Sequence, residues 1–97
     1  MTLSEIMQDI HACERDMQMY ELKYNILSET FYESYSRGDE PPDDAWVLDW
    51  GDWAGAYEIW LDRKKRYSRT VAMLRQDLPL IDVIEKAIRR EPLPVAA

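Results

Sequence analysis

The chain has 97 residues, one cysteine and a formal net charge of −7. That length allows one domain, the lone Cys13 excludes an internal disulfide, and the acid excess opposes general nucleic-acid binding. No apolar run approaches the ~18 residues of a membrane span, and no basic, apolar and small-residue series opens the chain as a signal peptide would; the cytoplasm is the expected setting.

Thr2-Leu3-Ser4-Glu5 reads as a capping box, with hydroxyl and carboxylate each taking the other residue's backbone N–H. Behind it, Leu3, Ile6, Ile10, Cys13, Met17, Tyr20, Tyr24 and Leu27 alternate steps of three and four, which keeps one seam on one side of a helix. The spacing predicts a helix over 3–24, about 33 Å long, closed by Asn25, which tolerates a left-handed backbone. Cys13 on that seam behaves as a small hydrophobe.

A short second helix is predicted over 29–37, with Ser28 as its cap, Leu27 and Tyr32 as a hydrophobic staple, Glu29 favoured by the dipole and Gly38 past its end. Asp39 to Asp44 form an acidic loop stiffened by Pro41 and Pro42. Asp44 and Asp49 are rival caps for the third helix, predicted over 45–76. Its stripe is Trp46, Trp50, Trp53, Tyr57, Trp60, Lys64, Tyr67, Val71, Leu74 and Leu78, interrupted only at Lys64. Pro79 breaks the chain, and Ile81, Ile84 and Ile88 predict an amphipathic helix over 80–90. Residues 91–97 read as a flexible tail. The whole of 1–97 is one helical domain. The expected fold is all-α: a long antiparallel, coiled-coil-like helical hairpin with two short accessory helices.

Four tryptophans, Trp46, Trp50, Trp53 and Trp60, fall within fifteen residues. At seam positions they are core; as aromatic anchors they are also candidates for a subunit or partner interface. Met19, Leu22, Ile26, Ile59 and Met73 lie off the seams, to be covered by the short helices or by self-association. The charge is uneven: residues 1–58 carry fourteen acids and three bases, and residues 59–97 five acids and nine bases. The basic run Arg63, Lys64, Lys65, Arg66 and Arg69 is spread around the helix and reads chiefly as a solvated face pairing with acids; nucleic-acid contact is the minor reading. The acidic loop, with Asp39, Glu40, Asp43 and Asp44, lacks calcium-loop spacing and could dock on a basic groove. His11 and Glu14 make one pair where helical metal sites need several carboxylates. No nucleophile–histidine pair, phosphate-cradling glycine loop or CxxC occurs, so neither catalysis nor a cofactor or metal is expected.

The segments Lys23-Tyr24-Asn25, Ser28-Glu29-Thr30-Phe31-Tyr32-Glu33, Gly38-Asp39-Glu40, Asp52-Trp53-Ala54 and Tyr57-Glu58 together resemble a group of small helical proteins of bacteria and archaea. In these a helix ends in a KYG-like turn, followed by a SEEFY-like short helix, a Gly-acid loop and a W-A-x-x-Y-E helix. The resemblance covers under half of the chain. Asn25 stands where that group has Gly, and the tryptophan density and the 79–90 extension are departures. The resemblance implies an antitoxin, partnered by a toxin encoded by an adjacent gene. In that reading Asp39, Glu40, Asp43 and Asp44 steer, and Ile81, Ile84 and Ile88 anchor, over the active groove of a basic toxin. The alternatives are a self-assembling homodimeric helical module and a nucleic-acid-binding component acting through residues 63–69.

Overall fold

The computed structural model describes residues 1–89. They form α1 (Leu3–Tyr24), α2 (Ser28–Ser36), α3 (Val47–Asp77), entered through a 3-10 turn at Asp44–Trp46, and α4 (Leu80–Ile88), with no strand among the described residues. The fold is all-α. The long helices α1 and α3 pack together, α2 packs on both, and α4 packs on α3. The molecule measures 51 × 22 × 20 Å.

The capping box forms as expected. Glu5 N donates to Thr2 Oγ1 at 3.1 Å and Thr2 N to Glu5 Oε1 at 3.2 Å. Asn25 closes α1 at φ 57°, a left-handed conformation that Asn accepts. From α1, Ile6, Ile10, Cys13, Met17 and Tyr20 are buried, so the predicted stripe is its packing face. Leu27, the last of the eight, is 65% exposed, because the chain has already turned.

The stripe of α3 differs from the expected one. The side chains that meet α1 are Asp49 (to Tyr24), Trp53 (to Tyr20), Trp60 (to Glu14) and Arg63 (to Asp9). With buried Ala56, Thr70 and Leu74 they step by three and four, apart from one step of seven between Arg63 and Thr70. Trp50 and Tyr57 instead meet Phe31 and Tyr32 of α2. The expected stripe merged two faces, because tryptophans occupy both. Lys64 therefore interrupts nothing: it is exposed, and Arg63 takes the packed position.

Boundaries shift for similar reasons. Ser28 is the first residue of α2 rather than its cap, and Leu27 precedes it without a capping side chain. Ser28 N and Oγ both donate to Glu21 Oε2, at 2.9 and 2.8 Å, so a carboxylate from α1 caps α2. Ser28 Oγ in turn accepts from Trp53 Nε1 at 2.8 Å. Neither rival cap opens the third helix. Asp43 caps the 3-10 turn through Ala45 N at 2.9 Å, while Asp49 is spent on α1. The fourth helix ends at Ile88 with Arg89 as its cap; Arg90 and the expected tail 91–97 lie outside the described residues.

Trp53 is 1% exposed. It stacks on Phe31 with centroids 3.9 Å apart and planes 2° from parallel, and on Tyr20 and Tyr24 at 5.7 and 5.6 Å. One ring thus touches α1, α2 and α3. Ser28→Ala would leave the buried Trp53 N–H without its acceptor and Glu21 with fewer donors. A loss of about 1–3 kcal/mol is expected, read as a lower urea midpoint at an unchanged slope.

Candidate functional site

The chemistry of α4 begins at its start. Leu78 is extended at φ −133°, and Pro79 supplies no N–H to continue α3. Its carbonyl instead accepts from Asp82 N and Val83 N at 3.0 and 3.2 Å, opening a new helix. In α4 the side toward α3 carries Val83, 5% exposed, between half-buried Asp82 and Lys86. At about 100° per residue, Leu80 falls about 60° around the helix from Val83, and Ile81, Ile84 and Ile88 about 160°, 100° and 140° from it. They are 48, 60, 44 and 75% exposed. An amphipathic helix normally turns its apolar face inward; here only the edge of that face, at Val83, is buried, and the rest is left exposed.

The acidic loop lies at the other end of the molecule. Asp39 accepts from Ser34 Oγ at 2.7 Å and Asp43 caps Ala45, so both shape the turn; Glu40 and Asp44 are exposed. Between loop and α4 runs α3, 31 residues or about 46 Å. The structure does not bring Asp39, Glu40, Asp43 and Asp44 together with Ile81, Ile84 and Ile88, so the two groups form separate surfaces.

The four tryptophans divide. Trp53 is interior and offers nothing to a partner. Trp50 is half-buried against Phe31, and its Nε1 is buried with no acceptor among the described residues. Trp46 is half-buried edge-on to Tyr24, and Trp60 is half-buried, donating to Glu14 Oε2 at 3.3 Å.

Two of the five residues of the basic run are held in ion pairs. Arg63 donates to Asp9 at 2.8 Å and also to Asp62, which Arg66 holds at 3.1 Å. The hydrogen bond from Arg63 is the main reason the Asp62 carboxyl lies below the usual carboxylate range. Lys64, Lys65 and Arg69 remain on the surface. His11 Nδ1 lies 3.2 Å from Glu14, and among the described residues no three His, Cys, Asp or Glu side chains gather as a metal would require. Cys13 is buried, and burial pushes its thiol up, away from the reactive thiolate. No helix among the described residues is long and apolar enough to cross a membrane.

Two features escaped the sequence reading. One is the Glu21–Ser28–Trp53 chain, since a serine before a helix reads as its cap. The other is an open groove between α1 and α3, on the flank away from α2. Gly51, Asp52, Gly55 and Ile59 line it from α3, and Asp16 and Met19 from α1. The i, i+4 spacing of the glycines was the available signal.

No family model, curated protein or solved structure matches this chain significantly.

Lys23 Nζ and the Tyr24 hydroxyl both donate to Asp49 Oδ2, at 2.5 and 2.7 Å. These bonds hold the Asp49 carboxyl below its ordinary value. Burial, and then the bond to Asp49, push the Tyr24 phenol up to about 12. A phenol raised in the folded state stabilises the fold fully below its unfolded pKa of about 10; that contribution disappears as pH rises through about 12. Between pH 10 and 12 the wild type should therefore lose stability more steeply than Tyr24→Phe, as measured by urea midpoints at stepped pH. Parallel curves would remove Tyr24 from the pH dependence.

Proposed function

We propose that this chain is a non-catalytic protein–protein interaction module, the antitoxin of a toxin–antitoxin pair, acting in the cytoplasm. It is built as an antiparallel, coiled-coil-like hairpin of α1 and α3, with α2 as a brace and α4 as the binding element. The single observation that carries the reading is the outward isoleucine face of α4. Three isoleucines on one side of a short helix, left exposed by their own core, suit the helix-in-groove mode of recognition. Ile81, Ile84 and Ile88 are the anchors, spaced i, i+3 and i+7.

The acidic end has a different task. Standing about 46 Å from α4, it does not enter the same groove; Asp39, Glu40, Asp43 and Asp44 supply the long-range field that draws in a basic toxin. The residue segments shared with small helical antitoxin-like proteins support the choice of toxin as partner, encoded by an adjacent gene.

The test is co-expression with the product of each neighbouring gene, followed by pull-down and a growth assay. The expected result is a tight complex with one neighbour that is toxic when expressed alone. Ile84→Asp should weaken that complex by roughly 30-fold, the size of a binding hot spot, with helix content unchanged because the side chain faces solvent. A chain that binds neither neighbour contradicts the proposal.

A further inference from the structure

Along α3 the partners of α1 run in step: Asp49 meets Tyr24, Trp53 meets Tyr20, Trp60 meets Glu14 and Arg63 meets Asp9. With the same rise per residue in both helices, Leu3, the first residue of α1, falls opposite about residue 70 of α3. Residues 71–77 therefore run on past the start of α1. Leu74, on the stripe of α3 that faces α1, is nevertheless buried. Among the described residues α4 packs on α3 and on no other helix, and its own buried side chain is Val83.

We propose that α4 is a latch on this overhang: Val83 covers Leu74, and residues 71–88 open and close as one local unit while the core of α1, α2 and α3 stays folded. Three observations carry this. The first is length. A helix of nine residues is too short to persist alone in water, so α4 is helical only while docked. The second is the size of the mount. Val83 is buried and Asp82 and Lys86 are half-buried, whereas α1 and α3 are tied by the Trp53 stack and by bridges from Asp49, Glu14 and Asp9. The third is Pro79. Without an N–H it interrupts the helical ladder, so loss of α4 reaches α3 only by uncovering Leu74, whose carbonyl accepts from Leu78 N at 2.9 Å. Opening spreads back to where α1 begins to cover α3 and stops there.

Resting on the proposed function, the latch regulates the binding element. Ile84, Ile88 and Ile81 lie about 100–160° around the helix from Val83, so α3 and a partner take different sides of α4. Closure holds the isoleucines at the helical spacing that a groove reads. The apparent dissociation constant is then the intrinsic one divided by the closed fraction. Val83 is a positioning residue for a partner that it does not touch.

Amide hydrogen exchange of the purified full chain, wild type and Val83→Ala, tests the latch with no partner present. Urea unfolding followed by tryptophan fluorescence runs beside it; every tryptophan lies between residues 46 and 60, so the fluorescence reports the core alone. In the wild type, the amides of 80–88 and of 75–77 should exchange at least about 100-fold faster than those around Trp53. Val83→Ala should speed both groups together, by about tenfold, and leave the fluorescence midpoint where it was. A variant that speeds 80–88 but not 75–77 overturns the proposal, because α4 would then not cover the overhang. So does an α4 that exchanges only as fast as the core, and so does a lowered fluorescence midpoint in Val83→Ala. Failure here leaves the pull-down result standing. A chain that binds neither neighbour leaves the latch standing and removes only its part in binding.

Discussion

The structure depends on the position of one indole. Trp53 is enclosed by Tyr20 and Tyr24 from α1 and by Phe31 from α2, and its N–H is held by Ser28, itself held by Glu21. Stacking between aromatic rings contributes about 0.5–1.5 kcal/mol per pair beyond area burial, and a satisfied buried network fixes one arrangement among many. Three helices are registered against each other through this one side chain. A short helix such as α2 has little stability of its own; the carboxylate of Glu21 at its N-terminus and the ring of Trp53 against Phe31 are what keep it in place.

How far the fold can be read from sequence follows from the same contacts. In α1 the buried residues are all recognisably apolar and lie on one side, chiefly toward α3, so the spacing of Ile6, Ile10, Cys13, Met17 and Tyr20 points directly to the buried side. In α3 two neighbours divide the surface. Tryptophan and tyrosine occur on both faces, while several truly packed positions are Ala54, Ala56, Thr70 and Arg63, which carry no hydrophobic signal. A periodicity reading then follows the large residues and crosses from one face to the other. The capping residues illustrate a second limit. Thr2 and Glu5 are three apart in sequence and legible; Glu21 capping α2 and Asp49 bridging to Lys23 and Tyr24 are contacts across the fold. At the candidate surface, the isoleucine spacing in α4 was plain, but only the packing of Val83 against α3 tells which way that face points.

The placement of charge and apolar surface gives the molecule two unlike ends. One holds the aromatic core, the acidic loop and most of the negative charge, with the groove that Gly51 and Gly55 help to line. The other holds Arg63 and Arg66, tied to Asp9 and Asp62, and then α4, attached through one margin of its surface. Pro79 makes this arrangement: it stops α3 and lets the next nine residues turn independently of the long helix. A helix attached so lightly can present its opposite face without disturbing the core, which is why binding is assigned there and stability to the Trp53 end.

The central claim is that the isoleucine face of α4 points outward from its own chain. Paramagnetic broadening of isoleucine methyl resonances by a soluble nitroxide tests it directly, on the purified chain at a concentration low enough to be monomeric. The account predicts that Ile81, Ile84 and Ile88 broaden strongly while Ile6 and Ile10, buried on α1, are spared. Protection of the three α4 methyls to the same degree as Ile6 and Ile10 in the monomer would show that the face is packed into its own fold, and would contradict the account.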